Sequence, residues 1–295
     1  MRKAKPAVVV SAAAILLTTS TAGLGSVGLG SKDPVLGVPA YWSPETAVGA
    51  ENFRQLADAA GTVNLVVING PASAAPVPFD AQTADTVRRL SRAGVTVLGY
   101  VDSGYLGRTG LTTTRVRSGS TAVEDWVSQI RHDVADWYEL YGRYGLGGVF
   151  IDQTLSSCGS NDEDVNAYRN ALDDVRHGNR GATVAINPGT WADECYMGIA
   201  DAMVVFENTY DVYRDWEPPS WVRAYPAERF WHLVYDVPTE AAMSDVVGYA
   251  RQRHAGYVYV TDHPWSATRS QWDSLPTYWK QELCRLGEED TNCAT

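Results

Sequence analysis

Residues 122–152 read AVEDWVSQIRHDVADWYELYGRYGLGGVFID, and the fold follows from how this stretch divides. In its first part Val123, Trp126, Val127, Ile130, Val134, Trp137, Tyr138 and Tyr141 recur at spacings of three and four. That period puts them on one face of a helix over 122–141. Gly142 and Gly145 then break the pattern, and Gly148–Asp152 is a short apolar run closed by an acid. A run without polar alternation reads as a parallel strand buried on both faces. The unit is therefore a helix feeding a buried strand that delivers a carboxylate at its exit.

Outward from this unit the same rhythm recurs. Short apolar runs lie at Val35–Ala40, Val63–Asn69, Val95–Val101, Thr183–Asn187, Ala202–Glu207, Phe230–Asp236 and Tyr257–Thr261, with amphipathic stretches between them. Eight alternating units in one chain predict a single (β/α)8 barrel over 34–295. A doubly wound sheet is the weaker fit. It carries a glycine-rich phosphate loop after its first strand, and Gly37-Val38-Pro39-Ala40-Tyr41-Trp42 is not one.

The 295 residues carry 24 Lys and Arg against 35 Asp and Glu, a net charge of −11. The first 22 residues hold Arg2, Lys3 and Lys5, no acid, and the run Ala7–Leu17, broken only by Ser11. This pattern predicts a signal peptide over 1–22, followed by a flexible glycine-rich leader over 23–33. The segment is too short to span a bilayer. Loss of the three bases takes the mature chain from −11 to −14. Such a surface repels phosphate backbones and anionic lipid, so neither nucleic acid nor membrane is an expected partner. The expectation is a secreted monomer without cofactor or metal.

Export permits disulfides, and Cys158, Cys195, Cys284 and Cys293 allow three pairings. The favoured set joins Cys284 to Cys293 as a local staple on the tail. That leaves Cys158 with Cys195, between two loops flanking the expected site. Asn161-Asp162-Glu163-Asp164 reads as the acidic first turn of a helix rather than a calcium loop.

Barrel chemistry collects where the strands end. The predicted ends carry Tyr41 and Trp42, Asn69, Asp102 with Tyr105, Asp152 with Gln153, Asn187, Glu207, Tyr235 with Asp236, and Asp262 with His263. Asp152 and Glu207 leave apolar strands four and six into one mouth. Paired carboxylates are what glycosidic cleavage requires, one ionised and one kept protonated. The chain has 10 Trp and 16 Tyr against 5 Phe. Polar-tipped aromatics stack on sugar rings and bond their hydroxyls. Tyr41, Trp42, Tyr105, Trp191, Tyr210 and Trp265 fall in the predicted mouth loops, whereas Trp126, Trp137 and Trp279 lie on helix patterns and read as core.

Five segments carry a further signal. These are Gly99-Tyr100-Val101 with Tyr105 and Arg108, Asp136-Trp137-Tyr138 through Asp152, Asn187-Pro188-Gly189-Thr190, Asp201 through Glu207, and 272–279, WDSLPTYW. Together, in this order, they resemble the spherulation-specific family 4 (spherulin-type) proteins, which include secreted endo-α-1,4-galactosaminidases acting on galactosaminogalactan. The resemblance implies a (β/α)8 glycoside hydrolase active on galactosamine or N-acetylgalactosamine polymers. It implies Asp152 as nucleophile or base and Glu207 as general acid/base. Gln153, Asn187, Tyr41, Trp42, Asn69, Asp102, Tyr105, Tyr235, Asp236 and Asp262 are the expected substrate contacts. One departure stands out: Gln153 occupies a position where family members carry a second acid. An amide there hydrogen-bonds a hydroxyl or acetamide, and its neutrality relieves repulsion on Asp152. Loss of that acid also makes a non-catalytic sugar-binding barrel the competing reading, with a metal-dependent barrel hydrolase behind it. The acidic mouth fits a polycationic, partly deacetylated polymer.

Overall fold

The computed structural model describes residues 33–69, 78–108, 114–179 and 181–287. The expected signal peptide and all of the leader but Asp33 lie outside them, as does Cys293. Eight parallel strands close in sequence order into a barrel. They are β1 Val35–Ala40, β2 Val63–Ile68, β3 Thr96–Asp102, β4 Gly148–Asp152, β5 Thr183–Asn187, β6 Ala202–Thr209, β7 Phe230–Tyr235 and β8 Tyr257–Val260. The register is continuous across β3, β4 and β5, where Asp102, Asp152 and Asn187 lie side by side at the top. The expected (β/α)8 architecture is present, with each strand displaced by no more than two residues from its predicted bounds.

Among the described residues seven α-helices wrap this barrel: α1 Ala47–Asp58, α2 Ala81–Ala93, α3 Val123–Tyr141, α4 Glu163–Gly178, α5 Tyr210–Asp215, α6 Glu240–Gln252 and α7 Trp279–Leu286. The alternation departs from the sequence reading between β5 and β6. There a 3₁₀ turn, Glu194–Gly198, replaces a helix. Pro188 and Gly189 open that connection and a disulfide anchors Cys195, so the short segment has no room for an amphipathic helix.

The barrel interior is filled rather than hollow. Trp231 on β7 lies across the floor, edge-on to Phe150 of β4 with centroids 5.6 Å apart. Gly37 makes room for it, since a Cβ there would stand 2.8 Å from the indole. Phe150 and Asp152 are two residues apart and so share the inner face of β4. The same strand thus supplies a packed floor and, above it, a carboxylate.

α3 fixes the neighbouring strand. Trp126, Trp137 and Tyr141 are fully buried on its inner face, as its period predicts. Gly99 of β3 faces Trp137 so closely that a Cβ would meet the ring at 2.4 Å. The close approach lets Trp137 Nε1 donate to the Tyr100 carbonyl at 2.7 Å. Tyr100, on the opposite side of the pleat from Gly99, is thereby aimed into the barrel.

Candidate active site

β4 and β6 deliver the two carboxylates, and β5 between them delivers the group that joins them. The Asn187 amide nitrogen donates to Asp152 Oδ1 at 2.8 Å and to Glu207 Oε2 at 2.7 Å. Its carbonyl Oδ1 accepts from Gly189 N at 2.8 Å, which fixes which end of the amide faces the acids. Gly189, at φ 71°, makes the tight turn that brings its N–H back onto Asn187. The two legs of 2.8 and 2.7 Å bound the separation of the nearest carboxylate oxygens at 5.5 Å.

Each acid has further donors. Tyr100 Oη donates to Asp152 Oδ2 at 2.8 Å. Glu207 Oε1 accepts from Gln271 Nε2 and from Trp272 Nε1, both at 3.3 Å. Gln271 and Trp272 come from the long connection after β8. It is pinned to β1 by Tyr41 N donating to the Trp272 carbonyl at 3.1 Å. A second tie runs from Asn52 of α1 to the Ser274 hydroxyl at 3.2 Å.

Burial pushes both carboxyls above the usual range, and their mutual repulsion adds to the rise at Asp152. Two full charges within 5.5 Å repel by about 3 kcal/mol or more at an effective dielectric near 20, roughly two pK units. The pair therefore retains one proton where separate surface carboxylates have lost theirs. The donors act the other way: Tyr100 lowers Asp152, and Asn187, Trp272 and Gln271 lower Glu207. Three donors bear on each acid: Tyr100, Asn187 and the Gln153 backbone on Asp152, and Asn187, Gln271 and Trp272 on Glu207.

The backbone leaving β4 is held firmly. The Ser103 hydroxyl donates to the carbonyls of Asp152 and Gln153, each at 2.8 Å. Tyr105 N donates to the Gln153 carbonyl at 2.7 Å. These bonds secure Gln153 at φ 54°, in the left-handed region that non-glycine residues seldom occupy. The Gln153 amide lies beside the Tyr100 hydroxyl. Residue 153 thus reaches Asp152 through Tyr100.

The other expected contacts divide into two groups. Tyr41 stands edge-on to Tyr100 with centroids 5.4 Å apart, close enough that Asp152 raises its hydroxyl further. Tyr105, at φ 51°, feels both acids; Tyr235 feels Glu207 and meets Trp272 edge-on at 6.1 Å. Asp102 is half-buried at the top of β3, accepting from Gly104 N at 2.8 Å, and burial raises its carboxyl. These residues gather around the acids.

Trp42 does not. It is buried against Phe53 of α1, with centroids 5.4 Å apart. Asn69 is half-buried past the end of β2, and Asp236 is exposed at φ 57°. Asp262 accepts from Thr277 N at 3.2 Å and from its hydroxyl at 2.6 Å, tying down the β8 connection. His263 stands beside Asp273, with Nδ1 to Oδ1 at 3.0 Å. Tyr100, Gln271 and Trp272 were absent from the expected contacts. Glu163 and Asp164 open α4 as expected, and Arg108 pairs with both.

The Cys158–Cys195 disulfide is present, joining the connections after β4 and β5 across a Cα–Cα distance of 6.2 Å. Cys158 N also donates to Asp193 Oδ2 at 3.1 Å, and Asp193 N to the Ser156 carbonyl at 2.8 Å. Cys284 is disulfide-bonded; its expected partner lies outside the described residues. Among those residues no helix is long and apolar enough to cross a membrane.

Comparison with known proteins places this barrel among relatives. A family model described as spherulation-specific family 4 matches residues 35–285. Spherulin-4 of Physarum polycephalum is 27% identical over 267 residues, covering 85% of this chain and 70% of that protein. The solved structure of Aspergillus clavatus Sph3 in complex with GalNAc superimposes with a TM-score of 0.66 at 20% identity, over 86% of this chain and 98% of that one. A chitinase from Chromobacterium violaceum gives 0.52 at 11% identity, over 86% of this chain and 100% of that one. At such identities the solved structures share the fold.

Proposed function

The chain belongs to the spherulation-specific family 4, and from that premise and the geometry of its mouth we propose that it is an exported glycoside hydrolase. Its substrate is an α-1,4-linked polymer of galactosamine or N-acetylgalactosamine. The observation that carries the reading is the single Asn187 amide shared by Asp152 and Glu207. It brings two acids from separate strands within 5.5 Å and leaves them one proton between them. A nearest-oxygen separation of at most 5.5 Å favours retention, for which carboxyl groups stand about 5–5.5 Å apart, over inversion at roughly 6.5–9.5 Å.

In the reaction Asp152 attacks the anomeric carbon as the glycosidic bond breaks, and Glu207 gives its proton to the departing oxygen. The product is a glycosyl ester on Asp152. Glu207 then takes a proton from water, whose oxygen attacks the same carbon and frees Asp152. For attack the shared proton sits on Glu207 and Asp152 is ionised. Mapping a trapped glycosyl ester tests this directly. An ester on residue 152 supports the assignment, and one on residue 207 exchanges the two roles.

Tyr41, Tyr105 and Tyr235 supply sugar-facing rings, and Gln153 and Asp102 supply polar contacts at the mouth. The charge of −11 favours a partly deacetylated, cationic polymer. The GalNAc bound to the Aspergillus barrel agrees with this sugar class.

The test is a reducing-end assay on purified α-1,4-galactosaminogalactan with wild type, Asp152→Asn and Glu207→Gln. Release by wild type, reduced by about 10³-fold or more in each variant with circular dichroism unchanged, is expected. Binding of the polymer without any release would make this a carbohydrate-binding barrel, with Gln153 as the mark of a lost activity.

A further inference from the structure

Of the ten tryptophans, eight are buried or half-buried. The two exposed ones are Trp191, at 46%, and Trp265, at 64%. A single exposed indole needs no explanation. These two share a placement. Trp191 stands four residues past Asn187, on the connection leaving β5; Trp265 stands five past Val260, on the connection leaving β8. Both therefore ride on the rim of the mouth that holds the carboxylates.

Each loop also reaches the acids by another residue. The first begins with Asn187, which bonds both carboxylates. The second continues to Gln271 and Trp272, which bond Glu207. Each loop is held as well. The Cys158–Cys195 disulfide and the Asp193 hydrogen bonds fix the loop of Trp191. Ser266 N donating to the Arg269 carbonyl at 3.1 Å, and the Arg269–Asp273 ion pair, fix that of Trp265. Indoles on held loops lose little freedom when a ring stacks on them. In the closed ring, β5 and β8 stand three strands apart out of eight. Trp191 and Trp265 thus flank Glu207 of β6 from separate sectors of the rim.

We propose that Trp191 and Trp265 are two outer stacking platforms that hold a hexosamine polysaccharide on either side of Glu207. This deepens the hydrolase reading and rests on it for the sugar class. The apolar face of a pyranose lies on each indole, and the chain runs between them past Glu207. Short oligomers reach only one platform. Affinity therefore grows with chain length until both are engaged, by the same arithmetic that governs linked binding modules.

The experiment measures Kd for α-1,4-linked trimer and octamer in the Glu207→Gln background, with Trp191→Ala, Trp265→Ala and the corresponding Phe variants. Each Ala variant is expected to weaken the octamer by about tenfold, a stacking contribution near 1.4 kcal/mol, and to narrow the octamer-to-trimer ratio. The Phe variants are expected to recover most of the loss. An octamer affinity unchanged in both Ala variants overturns the proposal, as does an equal loss for trimer and octamer in both variants. The hydrolase reading is read separately, from reducing ends released by the otherwise wild-type chain. Platforms that bind without release sink that reading alone, and release with platform-independent binding sinks this one alone.

Discussion

The mouth and the layer between β8 and α7 each bury a carboxylate where it resists ionisation, and they do it for different ends. In the outer layer Glu282 is fully buried, and one of its oxygens accepts from Val260 N at 2.9 Å. Burial pushes its carboxyl well above the usual range. It serves as an uncharged acceptor that ties α7 to the end of β8. At the mouth Asp152 and Glu207 are also pushed up, but each has a second acid beside it and donors shared with or aimed at both. A third case, Asp133 on α3, is buried and ion-paired with Arg117. Burial with a raised carboxyl is therefore no signature of chemistry by itself. What distinguishes the mouth is two acids competing for one proton under a common hydrogen-bond donor.

The contrast breaks most severely at Asn187. Asn187→Ala removes one N–H from each acid while leaving both in place, and kcat/KM on the polymer is expected to fall by about 100-fold, as for a lost transition-state donor. Hydrogen bonds to an ionised carboxylate hold its pKa down. Their loss at both acids should move both limbs of the pH–rate profile to higher pH. A fall in rate with the profile unmoved would reduce Asn187 to a packing residue.

Tyr100 sharpens the contrast between the two acids. It touches Asp152 and not Glu207, so Tyr100→Phe should raise Asp152 alone. The acid limb, set by ionisation of the attacking group, is expected to shift upward while the alkaline limb stays. The expected loss in kcat is about tenfold, in line with a hydrogen bond to a charged group. A shift of both limbs would show that the pair titrates as one unit through Asn187.

Why Asn187 was legible in the sequence and Tyr100 was not is a matter of where each lies along its strand. Parallel strands buried on both faces print themselves as apolar runs, so all eight could be found, and a polar residue closing a run stands out. Asp152, Asn187 and Glu207 are such residues. Tyr100 lies two positions before Asp102, within what reads as strand body, and only the two-residue alternation marks it as sharing an inner face with the rim. The same alternation separates Tyr41, which stands against Tyr100, from its neighbour Trp42, which turns to α1. Gln271 and Trp272 lie eleven and twelve residues beyond the last barrel strand. Their approach to Glu207 depends on contacts with β1 and α1 made across more than 200 positions of sequence, and local pattern has no access to these. The connection between β5 and β6 failed for a related reason, since its form follows the disulfide rather than any helical period.

The smallest expected effect lies in the outer layer and tests the contrast from its other side. Glu282 binds a proton in the folded chain at pH values where an unfolded glutamate, with a pKa near 4.3, has lost it. The folded state then holds more protons than the unfolded one, so stability falls as pH rises above that value toward the folded pKa. The mouth pair contributes a fall of the same sign, so wild type alone does not separate the two regions. Glu282→Gln keeps the acceptor for Val260 N and removes only the titration. At pH 4 the variant should match wild type; at pH 7 it should be more stable by about 1 kcal/mol, the scale of relieving a buried polar penalty. Urea unfolding at the two pH values measures both. Reducing-end release by the variant should remain as in wild type, because Glu282 bonds the strand end from outside the barrel and not the acids within it. A variant less stable at both pH values would mean that Glu282 is ionised in place and compensated, and the two buried acid sites would then differ in kind rather than in company.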